Sequence, residues 1–265
     1  MLSVVAEVDG GVPYVDPDVS VIIPAYNEAE RIAPTLRRIN DYLGGCSFSS
    51  EILVVVDGAT DNTLGVLRET AEKVAKLRIL DRQRNRGKGY TVQEGMLKAS
   101  GRLRLFCDAD NSTDIGHFDK MLPLFKEGYD IVIASRHSKD AAGARQVVPQ
   151  KRHKRIIGQV GNLIIQSIAV PGIWDTQCGF KAFRAAVAER LFSQSTIEGW
   201  AFDIEILALA RAQNYKIGVI PADWVNDARS HVRPFDYLTV LGDTLKVKRN
   251  FLAGRYSLNS SLPRP

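Results

Sequence analysis

The run Asp108-Ala109-Asp110 closes a short apolar stretch (Leu103, Leu105, Phe106, Cys107) and so sets two carboxylates where a buried strand spills into a loop. Mg²⁺ and Mn²⁺ take hard oxygen ligands and commonly share them between one or two carboxylates and the phosphates of a substrate. An Asp-x-Asp at a strand end therefore suits a divalent metal on a diphosphate. The same pattern also serves as a turn or helix cap, so its meaning depends on what lies beside it.

Three further segments carry comparable chemistry. Pro24-Ala25-Tyr26-Asn27-Glu28 offers a ring and a carboxylate that could face a base and a ribose, although Asn27 and Glu28 are equally at home at a helix start. Asp57-Gly58-Ala59-Thr60-Asp61 reads as a tight turn with Asp61 available as an N-cap. Asn85-Arg86-Gly87-Lys88-Gly89 brings two glycines and two cations to a helix start, where backbone N–H groups and the helix dipole favour anions. It matches neither standard phosphate loop: Arg82 stands where a P-loop needs glycine, and Val92 where a dinucleotide fingerprint needs its third glycine.

The elements that must position these groups follow from periodicity. Val19 to Ile23 and Ile52 to Val56 are β-branched runs, each followed by polar or glycine residues and then a helical pattern, the signature of parallel strands joined by helices. Leu77 to Leu80, Leu103 to Cys107 and Ile131 to Ala134 repeat it. The first half thus reads as a doubly wound, mostly parallel α/β sheet, and the informative residues sit after the strands, where such sheets bind ligands. Residues 136 to 155 hold seven Lys or Arg against one Asp and read as a solvated loop. Ile156 to Trp174 is apolar but interrupted by Pro171, which suits a buried or interface-lying helix. Ala201 to Ala212 reads as a helix, Ile217 to Ile220 as a strand and Phe235 to Leu252 as a final helix. Trp174 and Trp224 read as core, His117 and His153 as surface positions.

With 265 residues and 45% hydrophobic content, the chain can bury one large α/β core with a C-terminal helical elaboration. The expected organisation is an extension over 1–18, one domain over 19–252 (a nucleotide half, 19–135, and an acceptor half, 136–252) and a tail over 253–265. Net charge of +5 fits anionic partners. Aromatic residues are not interleaved with the basic loop, which argues against nucleic acid. Three scattered cysteines argue against a disulfide framework, and no run nears the roughly 18 apolar residues of a membrane span. A cytoplasmic protein, peripheral on the cytoplasmic face of a membrane through the basic loop and the apolar segment after it, is the expectation.

Taken in order, Pro24-x-Tyr26-Asn27-Glu28, Asp57-Gly58, Arg86-Gly87-Lys88-Gly89 and Asp108-x-Asp110 resemble the family 2 inverting glycosyltransferases with the GT-A fold. Asp175-Thr176-Gln177-Cys178-Gly179-Phe180-Lys181, then Trp200-Ala201-Phe202-Asp203-Ile204-Glu205, look like the dolichyl- or polyprenyl-phosphate β-glucosyltransferase branch, and Ser135-Arg136-His137-Ser138 stands where that branch carries Ser-Arg-x-His. The resemblance covers roughly residues 18 to 252. It implies inverting transfer of a hexose, glucose first, from a UDP-sugar to a polyprenyl phosphate. It further implies that Pro24, Tyr26, Glu28, Asp57 and Ala109 line the nucleotide-sugar pocket with Lys88 near the phosphates; that Asp108 and Asp110 hold Mg²⁺ or Mn²⁺; that Arg136, Gln177 and Lys181 meet the acceptor phosphate or sugar; and that Asp110, Arg136, Asp203 and Glu205 do the catalytic work.

The chain also departs from that branch. Val56-Asp57 replaces a pair of aspartates, Ala59 a serine, and Ser230-His231, flanked by Arg229 and Arg233, a Ser-Lys pair expected near the diphosphate. Arg229 and His231 then belong to the nucleotide-sugar set, His231 with an ordinary pKa of about 6.5 in place of a permanent cation. Residues 1–18 show no counterpart of the N-terminal anchor of eukaryotic relatives. A GDP-mannose-dependent polyprenyl-phosphate mannosyltransferase and a non-catalytic sugar-nucleotide-binding protein are the competing readings.

Overall fold

The computed structural model describes residues 17–146, 161–225 and 236–258. In chain order its elements are β1 (Val19–Ala25), α1 (Ile32–Gly44), β2 (Ser50–Asp57), α2 (Thr63–Ala71), β3 (Leu77–Arg82), α3 (Lys88–Lys98), β4 (Leu103–Cys107), a 3₁₀ turn (Ile115–His117), α4 (Phe118–Lys126), β5 (Ile131–Ser135) and β6 (Arg145–Gln146). A helical stretch over 161–168 (α5) follows, then β7 (Phe180–Arg184), α6 (Ala185–Phe192), α7 (Phe202–Ala212), β8 (Ile217–Pro221), β9 (Asp223–Trp224) and α8 (Asp236–Leu252).

Seven strands form one sheet in the order β3-β2-β1-β4-β7-β5-β8, and β6 pairs with β9 in a separate ribbon. All neighbours in the large sheet are parallel except β7, which runs antiparallel to both β4 and β5. The doubly wound, mostly parallel expectation is met, and strict alternation explains it. Val21, Ile23, Ile52, Val54, Leu105 and Val132 point to one face and pack with α1 and α4. Ile22, Leu53, Val55, Phe106, Ile131 and Ile133 point to the other and pack with α3, α6, α7 and α8. Both faces being covered is why the strands read as continuous apolar runs.

The reversed strand was not legible as a strand. Phe180-Lys181-Ala182-Phe183-Arg184 lacks β-branched residues and carries a lysine in its middle. Topology accounts for it. After β5 the chain crosses at the carboxyl edge of the sheet, so it re-enters from that edge and must run downward; Cys107 pairs with Phe180 in the register. Residues 177–179 are thereby delivered beside the end of β4. Then α6 climbs back, leaving 193–201 at the same edge and the first turn of α7 just below it.

Two expectations need correction. Residues 136–146 are not a free solvated loop: Arg145 and Gln146 pair with Asp223 and Trp224, while 147–160 lie outside the described residues. His117 is 8% exposed, its Nδ1 beside the Asp114 carbonyl and its Nε2 accepting from the Asp223 amide.

Phe106 is 1% exposed, packs on Phe183 and Phe202, and lies under Lys181. Phe106→Ala should cost about 3–5 kcal/mol in urea unfolding; a loss below about 1 kcal/mol would show that this face does not depend on it.

Candidate active site

The carboxyl ends of β1, β2, β4 and β5 and the start of β7 meet at one edge, and the strongest charges meet there too. Lys88, at the first position of α3, places its Nζ 2.6 Å from Asp108 Oδ1. Burial opposes the ammonium charge, but Asp108, Asp203 and Asp110 together outweigh it and hold Lys88 above its ordinary value. Asp110 is raised by burial and then by the like charge of Asp108, against the Ser112 amide donating to its Oδ1 at 2.9 Å. Two neighbouring acids whose repulsion a cation relieves fit a divalent metal, with Lys88 already setting one positive charge beside Asp108 Oδ1. Among the described residues no group of three or more acidic, His or Cys ligands forms, so such a metal would draw its remaining ligands from substrate oxygens and water.

Asp108 owes its position to Gly179. The Asp108 amide donates to the Gly179 carbonyl at 3.1 Å, and a Cβ on Gly179 would fall 2.0 Å from Asp108 Oδ2. The Lys88 turn is fixed from two sides. Asp57 receives Arg86 N (2.8 Å), Gly87 N (2.9 Å) and Arg82 Nη2 (2.8 Å). Gly87, at φ 102°, passes against the carbonyl of Glu198, which also accepts from Tyr90 N.

Glu205 supports that second wall, which corrects the expectation that it stands beside the reacting sugar. It is fully buried, and its carboxylate accepts from Thr196 N, Ile197 N and the hydroxyls of Ser195, Thr196 and Tyr256 at 2.6 to 3.0 Å. Residues two apart on a helix project about 200° apart, so Asp203 and Glu205 on α7 cannot share a face. Asp203 is the one turned toward the site. Its Oδ1 takes Lys181 Nζ at 2.6 Å, and burial raises its carboxyl against the pull of Lys181 and Lys88. Lys181 is 1% exposed and also donates to the Cys178 carbonyl. Expected against an acceptor phosphate, it instead stands behind Asp203, because its strand position points it into the sheet's covered face.

Arg136 binds Asp175 three times, through N and Nε to Oδ2 and Nη2 to Oδ1, each at 2.7 Å. Burial alone would raise Asp175, yet Arg136 holds it below the ordinary carboxylate value. Asp140 orients the pair, accepting from Trp174 N, Asp175 N and Ser135 Oγ. Trp224 lies 5.3 Å from the Arg136 guanidinium and Trp174 stacks on His137; both are half-buried beside this segment rather than core. Asp140 and Asp175 went unassigned in sequence, where single aspartates look alike. Gln177 Nε2 reaches the Trp200 carbonyl at 3.3 Å, and the Trp200 ring lies 5.3 Å from Lys88 Nζ.

On the other flank Tyr26 is exposed, while Glu28 is buried in a bidentate pair with Arg31 (2.5 and 2.7 Å). Ala109 is buried, its carbonyl accepting from Thr35 Oγ1. Pro24 closes the end of β1. Arg229 and His231 lie outside the described residues. Cys178 is buried, its thiol pushed up to about 11, which leaves it unreactive.

Residues 20–192 match the family model described as glycosyl transferase family 2. The dolichyl-phosphate beta-glucosyltransferase of Dictyostelium discoideum is 34% identical over 255 residues, 91% of this chain and 77% of that protein. The protein of the same name from Homo sapiens is 30% identical, covering 91% and 78%. Among solved structures, mannosyl-3-phosphoglycerate synthase from Rubrobacter xylanophilus superposes with a TM-score of 0.63 at 17% identity over 93% of this chain and 78% of that one. Glucosyl-3-phosphoglycerate synthase from Mycobacterium tuberculosis, in complex with Mn²⁺, uridine diphosphate and phosphoglyceric acid, does so at 0.60 and 18%, over 93% and 80%. These likenesses show a GT-A glycosyltransferase fold.

Glu205→Gln keeps the shape but weakens charge-assisted hydrogen bonds, so unfolding stability should fall by about 2–3 kcal/mol; an unchanged denaturation midpoint refutes the role. Asp175→Asn should cost roughly 3 kcal/mol at neutral pH by stranding Arg136. Because the folded pKa of Asp175 is depressed, its contribution is complete above the unfolded value of about 4 and vanishes as pH falls through the lower folded value. The gap between wild type and variant should therefore close in acid, and a gap constant down to the lowest pH would exclude the pair as its origin.

Proposed function

This chain belongs to glycosyl transferase family 2, and from that premise we propose that it transfers glucose with inversion from UDP-glucose to a dolichyl-type polyprenyl phosphate. The relatives' names support the donor and acceptor. One observation at the site carries the reading further: the buried carboxylates around it are already engaged, Asp57 by Arg82, Asp175 by Arg136, Asp203 by Lys181 and Glu205 by the 195–197 segment. A sugar hydroxyl acceptor needs a base to take its proton. A phosphate oxygen is already anionic near neutral pH and needs only to be held and stripped of repulsion.

In this reading the uridine lies over Pro24, Tyr26 and the Asp57 turn, and Asp108 and Asp110 would hold Mg²⁺ or Mn²⁺ on the diphosphate. That cation, when bound, supplies Lewis-acid stabilisation of the leaving group. Lys88 sits beside the same oxygens and takes up charge as UDP departs. Arg136, fixed in orientation by Asp175, is the cation for the incoming phosphate, with Gln177 and Trp200 shaping the sugar side. Asp203, backed by Lys181, keeps Lys88 charged and directed. The acceptor oxygen approaches the anomeric carbon opposite the diphosphate, so the configuration inverts.

The test is transfer of radiolabelled glucose into an organic-extractable product; label found only in water-soluble glycosides rejects the proposal. Asp110→Ala should lower turnover by about a thousandfold or more, several kcal/mol of barrier, and near-normal turnover would remove the cation. In Mn²⁺, UDP at a hundred times its Kd should stabilise the fold by about 2.7 kcal/mol. A larger shift with GDP would favour the mannosyl donor instead.

A further inference from the structure

Helix α8 buries Val240, Thr244, Val247 and Asn250 but leaves Leu238, Leu245 and Leu252 at 62, 57 and 82% exposure. Seven residues fall about 20° short of two turns, so these three leucines form one stripe, about 21 Å long at 1.5 Å per residue. Lys248 and Arg249 are exposed on either side of it, and Lys246 adds a third cation in the same half of the helix. Among the described residues no helix is long and apolar enough to cross a membrane. An apolar stripe edged by cations is the form of a helix that lies in a bilayer interface and favours anionic headgroups.

The opposite side of the helix faces the protein: Asp243, about 160° round from the stripe, comes within 3.6 Å of a Cβ built on Gly199, next to Trp200. We propose that the outer face of α8 seats the protein on an anionic lipid leaflet. The inference rests on the lipid-phosphate reading above and goes beyond it by naming the docking surface. The cationic edge formed by Lys248 and Arg249 complements the anionic headgroups of such a leaflet.

Flotation with phosphatidylcholine vesicles, with and without phosphatidylglycerol, tests it. Wild type should rise with the anionic vesicles and be released by high salt. Leu238→Gln/Leu245→Gln/Leu252→Gln, at exposed positions that leave the core intact, should reduce binding at least about tenfold, and Lys248→Gln/Arg249→Gln should reduce it and flatten the salt dependence. Equal binding by the leucine variant, no binding by wild type, or a wild-type dimer that this variant dissociates would each overturn the proposal. Transfer to a short, water-soluble polyprenyl phosphate should be unchanged in the leucine variant. Normal transfer without flotation defeats the docking surface alone; flotation without transfer to any lipid phosphate defeats the activity and leaves the surface standing.

Discussion

Like charges crowded at one sheet edge govern this molecule. Asp108, Asp110 and Asp203 converge where three loops meet, and without cations among them that edge would be self-repelling. Lys88 answers Asp108 directly at 2.6 Å, and Lys181 answers Asp203 from behind at the same distance. The two lysines differ in burial, and that difference divides their work. Lys181 is sealed beneath the surface on a strand over Phe106. Lys88, its side chain 18% exposed, stands at the first turn of α3 on the open side of the edge.

Holding Lys88 there takes more structure than the turn itself contains. Asp57 grips its backbone from the β2 side through the amides of Arg86 and Gly87. On the opposite side Glu205 draws the amides of 196 and 197 downward, so that the carbonyls of 197 and 198 form the wall against which Gly87 and Gly89 pack. Tyr256 donates to the same carboxylate and Asn250 to the tyrosine, so the chain beyond α8 is tied into the wall that holds the Lys88 turn. Asp57, expected in the nucleotide pocket, and Glu205, expected to be catalytic, thus both hold backbone amides around the Lys88 turn. Preorganisation of a charged side chain requires such neighbours, because a flexible lysine otherwise loses rotamer freedom on binding.

Much of this was legible in sequence because strand ends are marked by abrupt changes in residue type. Val54-Val55-Val56-Asp57 and Leu105-Phe106-Cys107-Asp108 announce both a buried strand and the acid at its end, and the structure puts each where the pattern implies. Long-range pairing was not legible. Nothing local to Phe180–Arg184 says that it runs against its neighbours, since the reason lies in where the preceding crossover leaves the chain. Asp140 and Asp175 escaped for the same cause: their partners are a backbone amide and a guanidinium many residues away, fixed only once β5 and the segment before β7 are side by side.

Helix geometry alone separates Asp203 from Glu205. Once 202–212 is a helix, positions 203 and 205 point to opposite sides, and only one of them can face a site at the sheet's carboxyl edge. Lysine at 181 decides which. Register sets Lys181 opposite Phe106 on β4, on the face that α7 covers, and a buried ammonium there demands a carboxylate from the helix above it. Asp203 meets that demand, and in doing so it is drawn within reach of Lys88. The charged sheet edge and the buried core are therefore joined by one chain of alternating charge, Lys181 to Asp203 to Lys88 to Asp108, in which changing any member alters the field felt by the last.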